Sequence, residues 1–425
     1  MLDTKFIREN AELVKAGAVK KHVACDVDGF LALDKERREL GQKVDGLRNE
    51  QKQASKGMAK ASPEERAQLL EGQKALKVEL KGLEERLSSI ETEMRAKQLE
   101  IPNVPAAEVP DGKDDAENVE LRTVGDKPAF DFDAVDHIEV ATRQGWLDIE
   151  AGARMAGSRN YVLLGELALL ENAVMSFALD HMLAKGFELL SVPMLLRREP
   201  LEGTGYFPGG EEQTYKTDER DELYLAGTSE VPVTALHAGE ILDVASLPKR
   251  YVARTTCYRR EAGTYGKDTR GIYRVHQFQK VEQVILDVAD EARSIEHHAS
   301  ILENSEEVCR ALELPYRVVN VCGGDLGVPH VMKYDIETWM PGRDGYGETH
   351  SASRFYDYQA RRLNLRYRDE GGKVRVCHTL NNTVAASTRM LIGLLENHQC
   401  ADGTVHVPEP LRRYMGGRER IGKAL

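Results

Sequence analysis

The sequence predicts an α+β protein in which a long antiparallel α-helical hairpin precedes a domain built on an antiparallel β-sheet. Three observations carry this. Apolar residues repeat in heptads between about 27 and 100, a Pro-rich acidic break follows near 105, and short β-type runs then alternate with long helical stretches.

In the hairpin, Leu33, Leu40, Val44 and Leu47 mark one seam, and Leu69, Leu76, Leu80, Leu83, Leu87, Ile90 and Met94 mark the other. Between them lies the stretch from Ala61 to Glu65, where Ser62 can cap and Pro63 can open a helix. The first arm carries Lys35, Arg37, Arg38, Lys43, Arg48, Lys52, Lys56 and Lys60, while the return arm is close to neutral. Such a hairpin is either a dimerising coiled coil or a solvated spacer, or a rod of about 45 Å that reaches along an RNA backbone. Pro102, Pro105, Pro110 and Gly112, followed by Asp114, Asp115 and Glu117, read as a linker. The domains are therefore expected to be 1–105 and 106–425. Beyond the linker, strands are expected near 188–192, 250–257, 272–286, 315–322, 345–358 and 376–381, and helices over 162–185 and 384–398. No P-loop and no G-x-G-x-x-G stretch supports a parallel nucleotide-binding fold.

Composition narrows the classes. At 425 residues the chain suggests two or three units. No apolar run approaches the ~18 residues of a membrane span, so no membrane role is expected. The first ten residues include Asp3, Arg8 and Glu9 rather than a signal peptide, and the expected location is cytoplasmic. The cysteines Cys25, Cys257, Cys309, Cys322, Cys377 and Cys400 lie far apart, which indicates neither a disulfide framework nor a zinc site. A net charge of -12 argues against a broadly basic nucleic-acid coat, so any RNA contact must be local, and no DNA partner is expected.

The densest chemistry lies in "ARTTCYRREAGTYGKDTRGIYRVHQFQKVE", from Ala253 to Glu282, which reads as strand, Gly-rich loop, strand. Arg259 and Glu261 share a face by the period of two, and so do Arg274, Phe278 and Glu282. Phe278 and Glu282 stand roughly 13 Å apart at ~3.3 Å per residue, about the span from a purine to the aminoacyl group of an adenylate. Taken alone, the stretch is equally a charged strand facing solvent. Arg274 and His276 are equally ordinary strand residues, and Arg389 a surface ion-pair partner.

"YRRE" at 258–261 resembles the second signature of class II aminoacyl-tRNA synthetases, and the stretch that follows is similar to its seryl form. A helix over 166–185 leading into Gly186 and a strand ending at Pro193 resembles the first signature. "TLNNTVAASTRMLIGLLE" at 379–396 resembles the third, and "GTSE" at 227–230 and "YDIETWMPG" at 334–342 complete the set. The resemblance implies a class II antiparallel catalytic sheet, a homodimer, ATP with Mg2+, and L-serine. It implies a coiled-coil arm holding tRNA(Ser), and tRNA(Sec) where the host has it, with Arg38, Lys43 and Arg48 as contacts.

Site roles follow from the same resemblance. Arg259 would hold the α-phosphate and the serine carboxylate. Glu261 would accept from the adenine amino group, Phe278 would stack on the ring, and Arg389 would meet the γ-phosphate. Arg260, Arg274, Val275, Thr349 and His350 would complete the ATP contacts. Glu348 and Ser351 would reach the phosphates through Mg2+. Serine would be held by Thr228, Ser229, Glu230, Arg259, Glu282 and Thr383, and the catalytic residues would be Arg259, Glu348 and Arg389. Two stretches depart from common members. "ETHSASR" at 348–354 stands where many have EISS or EVSS followed by CSN, which leaves the part of His350 open, and Thr383 stands where many have serine. An amino acid:carrier-protein ligase related to the catalytic half is the alternative, but those relatives lack the hairpin. A non-catalytic paralogue is a third reading, against which the intact charged set weighs.

Overall fold

The computed structural model describes residues 1–58, 62–263 and 270–424, so Lys60 and the Gly-rich tip at 264–269 lie outside the described residues. The chain divides into two compact units, 1–19 with 23–102 and 20–22 with 103–425.

The first unit contains α1 (Thr4–Glu9), α2 (Ala11–Lys20), α3 (Val27–Met58) and α4 (Pro63–Glu100). The last two form the hairpin. Val44, Leu80, Ile90 and Met94 are buried, and the other seam residues are half-buried. That narrow stripe is what a two-helix seam presents, with the remaining faces left to solvent. Arg48 reaches Glu84 at 2.8 Å and Arg86 reaches Glu36 at 2.9 Å across the arms. Exposed pairs of this kind contribute about 0.2–1 kcal/mol, so the seam does most of the holding. Arg38 pairs with Asp34 at 3.2 Å, while Lys43 is exposed and makes no ion pair among the described residues.

The second unit is built on an eight-stranded sheet. Its main elements are β1 (Val119–Val124), α5 (Gly165–Ala184), β2 (Glu188–Leu190), β3 (Lys249–Tyr258), β4 (Gln277–Asp287), α6 (Glu291–Ala311), β5 (Tyr316–Asn320), β6 (Met332–Met340), β7 (Gly345–Tyr356), β8 (His378–Ala386) and α7 (Ser387–Asn397). The strand order is β1-β5-β6-β7-β8-β4-β3-β2, antiparallel except for β2 against β3. The main core joins Leu167, Leu170 and Val174 of α5, Ile301 and Val308 of α6 and Leu391, Leu394 and Leu395 of α7 to Val281, Ile285, Val384 and Ile336 of the sheet.

Several elements differ from expectation. β4 starts at Gln277 rather than 272, and Val384–Ala386 extend β8, so the helix expected from 384 starts at Ser387. α6 was not foreseen because its buried face includes Ser294, His298, Asn304, Ser305 and Glu306, which blurs the apolar period. The membrane expectation also needs correction in one respect: α5 is long and apolar enough to cross a membrane by length and composition. It is instead a core helix that packs Leu167, Leu170, Val174, Met175 and Met182 against the sheet and its neighbours.

Candidate active site

The site lies on the sheet's other face, and alternation along β4 builds it. Phe278, Lys280 and Glu282 point into one cleft. Across the β4–β8 ladder Glu282 stands opposite Thr383, and across β3–β4 it stands opposite Ala253. Just past β3, Arg259 places its guanidinium 5.3 Å from the Phe278 ring centroid and donates through Nε–H to the Gly227 carbonyl at 3.3 Å. Gly227 allows this approach, since a Cβ there would lie 3.3 Å from Arg259 Cγ. Glu261 holds a left-handed φ of 51°, an uncommon conformation for a residue with a side chain, and its carboxylate accepts from Arg274 Nη1 at 2.8 Å. Arg389, at the start of α7, lies 4.6 Å over the Tyr273 ring, donates to the Glu348 carbonyl at 2.9 Å and sits 3.3 Å from Glu348 Oε1.

The deeper part is a hollow of about 560 Å³ floored by Glu230, Lys280, Glu282, Asn381 and Thr383. Lys280 Nζ lies 2.5 Å from Glu282 Oε2 and donates to Thr228 Oγ1 at 2.7 Å, while the Thr228 hydroxyl donates to Glu282. The Asn381 amide donates to Glu282 Oε1 at 2.8 Å and to Glu230 Oε2 at 3.1 Å. Gln359 donates to Glu230 Oε1 at 2.7 Å. Burial works to raise the Glu282 carboxyl, but Lys280 and the bonds from Thr228 and Asn381 outweigh it and hold Glu282 below the usual range. Glu230 goes the other way: burial, then the Glu282 charge, push it up to about 7. One floor thus holds an ionised carboxylate beside a carboxyl that titrates near neutrality.

Opposite, a β-bulge shapes the wall. Thr349 is the extra residue of β7 against β6, since Ile336 pairs with His350 and Glu337 with Glu348. In a regular strand Glu348 and Ser351, three apart, would face opposite ways. The bulge turns both to the cleft. Burial opposes ionisation of Glu348, and Arg389, Lys333, Arg259 and Arg274 overcome it, keeping the carboxyl below its ordinary range. Among the described residues no group of three or more His, Cys, Asp and Glu is placed to cage a metal. Mg2+ takes most of its shell from phosphates and water and needs only one or two carboxylates, so Glu348 with Ser351 fits a metal that arrives with ATP.

Arg259, Glu261, Arg274, Val275, Phe278, Glu348, Thr383 and Arg389 line the cleft together, and Glu230, Glu282 and Ser351 line its deeper part. Other expectations are corrected. Arg260 is exposed and is not among the residues that line the cleft. Arg274 enters from the segment before β4, held by Glu261, rather than by sharing a strand face with Phe278. Ser229 is fully buried beside Glu282, its hydroxyl 3.5 Å from Oε2, and Thr228 orients Glu282 from behind rather than lining the hollow. The His350 side chain is withdrawn into the helix side of the sheet, while Thr349 lines the cleft as expected with its hydroxyl turned towards His350. Lys280, Asn381 and Gln359 went unremarked in the sequence. The period of two that picked out Phe278 and Glu282 also selects Lys280, and the same step from Thr383 gives Asn381, but nothing local marks Gln359.

Residues 1–105 match the family model described as the seryl-tRNA synthetase N-terminal domain, and 214–398 match the tRNA synthetase class II core domain (G, H, P, S and T). A serine-tRNA ligase of Deinococcus radiodurans is 49% identical over 423 residues, covering 100% of this chain and 99% of its own length. The chain belongs to the seryl-tRNA synthetase family. A Rubrobacter xylanophilus serine-tRNA ligase is 45% identical, with 100% of both chains covered. Among solved structures, seryl-tRNA synthetase from Pyrococcus horikoshii complexed with ATP superposes with a TM-score of 0.94 at 38% identity, covering 100% of each chain. Membership of the seryl-tRNA synthetases favours the main sequence reading over the carrier-protein ligase.

Proposed function

We infer that the protein is a serine-tRNA ligase that condenses L-serine with ATP to seryl-adenylate and pyrophosphate. It then passes the seryl group to tRNA(Ser), and to tRNA(Sec) where the host makes it, releasing AMP. One observation carries this reading: a single cleft joins a cation-walled end, with Arg259, Arg274, Arg389 and the Phe278 ring, to a small acidic floor at Glu282 and Glu230. The first end suits a nucleotide triphosphate, and the second suits an ammonium and a hydroxyl.

In the first reaction the serine carboxylate attacks the α-phosphorus and pyrophosphate leaves. Arg259 bridges both anions, and Arg389 offers a fixed cation where the leaving charge grows. Phe278 and Glu261 orient the adenine. Glu282, held ionised, takes the α-ammonium, and Thr383 faces it to bond the serine hydroxyl. Mg2+, held by Glu348 and Ser351, would supply charge neutralisation at the phosphates.

Residues 1–105 act as the tRNA arm, with Lys43 exposed and outside any ion pair among the described residues and Arg38 and Arg48 shared with acidic neighbours. The chain works as a cytoplasmic homodimer. The dimer is supported by Leu169 and Leu183, exposed on α5, and Leu189, exposed on the edge strand β2. Serine-dependent ATP–pyrophosphate exchange, followed by charging of tRNA(Ser), tests the function. No exchange with serine, or exchange without tRNA charging, would sink it.

A further inference from the structure

The β7–β8 ladder runs from Tyr356↔Thr379, across an irregularity at Phe355, through Arg354↔Leu380 and Ser353↔Asn381 to Ala352↔Asn382, where it ends short of the site. Continued in the same register, His350 would face Val384. The backbones do not pair at that point, for a reason visible on each strand. Thr349 is the bulge residue of β7, and Val384 is the bulge residue of β8 against β4, since Val281 pairs with Ala385 and Glu282 with Thr383. Bulge residues drop out of the ladder and leave backbone groups to be satisfied otherwise.

The His350 imidazole supplies that bond. Its Nε2 lies 3.1 Å from the Val384 carbonyl, which can only accept, so Nε2 carries the proton and donates. Nδ1 is then an acceptor, and the Thr349 hydroxyl, 2.8 Å from it and 3.2 Å from the Ile336 carbonyl, has the ring nitrogen as the nearer acceptor for its one proton. The Thr349 oxygen is in turn 2.9 Å from Thr338 Oγ1 on β6. The ring is 1% exposed, so no solvent competes. One imidazole therefore ties β8 to β7 and, through Thr349, to β6, where both bulges interrupt the ladder. On one side of the tie Glu348 and Ser351 serve the phosphates, and on the other Thr383 serves the amino acid.

We propose that His350 is a positioning residue that fixes the spacing between the nucleotide half and the serine half of the cleft through its bonds to Val384 and Thr349. This rests on the ligase reading above. It makes the departure "ETHS" a mechanical part of this site rather than a ligand for ATP. β4 carries residues of both halves, Phe278 and Glu282, so what the tie sets is the placement of Glu348 and Ser351 on β7 against Thr383 on β8, and its loss should disturb that placement more than either set alone.

The test uses the full-length protein with His350→Leu, His350→Gln and Thr349→Val, each checked for folding by thermal melting. Calorimetry measures binding of ATP, of serine, and of a non-hydrolysable seryl-adenylate analogue that spans both halves, and pyrophosphate exchange gives kcat. In His350→Leu, ATP and serine separately should bind near wild-type strength, while kcat and affinity for the spanning analogue fall together. The fall should be on the order of 10²-fold, as for ångström-scale misplacement of reacting groups. His350→Gln, whose amide can still donate to Val384, should recover most of it. If His350→Leu does not fold, Thr349→Val must show the same split at smaller size. An unchanged spanning affinity, a parallel loss of all three affinities with the melting temperature, or no rescue by glutamine would each overturn the proposal. Wild-type protein that fails to exchange with serine would instead overturn the parent reading.

Discussion

Arg389→Ala separates a charge that holds the fold from a charge that serves the reaction. The guanidinium lies 3.3 Å from Glu348 Oε1. At that distance a unit pair is worth about 5 kcal/mol at an effective dielectric of ~20 and about 1.3 kcal/mol in water. The Glu348 side chain is 44% exposed, which places the pair towards the watery end. The contact with the Tyr273 ring adds about 0.5–1 kcal/mol. The variant should therefore lose roughly 2 kcal/mol of stability and remain folded at 25 °C. If Arg389 meets the departing pyrophosphate, the exchange rate should fall by on the order of 10²–10³, or about 2.7–4 kcal/mol of barrier. Arg389→Lys should recover only part, because a point charge cannot reproduce a planar fork. Urea denaturation and ATP–pyrophosphate exchange on the same preparation decide it. Wild-type exchange, or a rate loss matching the unfolded fraction, would refute the role and return Arg389 to the surface ion-pair reading.

Thr383→Val keeps shape and removes the hydroxyl opposite Glu282, so the kcat/KM ratio for serine over alanine should drop from a starting discrimination of roughly 10⁴ while ATP binding holds; an unchanged ratio removes Thr383 from the pocket. Glu230, raised to about 7 from 4.5, favours its protonated form when folded, so its contribution to stability is full below about 4.5 and is lost as pH rises through about 7. The KM for serine should fall over the rise through about 7 as the carboxylate forms, and Glu230→Gln should flatten both profiles. Lys43→Glu should weaken tRNA binding and lower its salt slope by about 1 while adenylate formation persists; charging unaffected by this change would move the RNA contact elsewhere. Replacing residues 30–97 by a short linker should abolish charging and spare exchange, and surviving charging would make the arm structural.

The hairpin was legible because its seam is local: Val44, Leu80 and Ile90 recur at helical spacing, and the same residues are the buried ones. The antiparallel sheet was legible in kind but not in count, since β6 and α6 mix polar and apolar residues on faces that other elements cover. In the cleft, alternation along one strand was enough to bring Phe278 and Glu282 together. Arg260 and His350 show its limit. Motif position placed both at ATP, whereas a turn after β3 and a bulge in β7 sent them elsewhere.

The sequence by itself determined the helical arm and, through the order of its signatures, the class of the catalytic sheet, and it marked Arg259, Glu261, Arg274, Glu348 and Arg389 for one cleft while missing Lys280. Only the tertiary structure decided the ionisation of Glu230 against Glu282, the shared facing of Glu348 and Ser351, and the tie from His350 to Val384. Each of these depends on burial or strand register between segments far apart in the chain, and no local pattern encodes either.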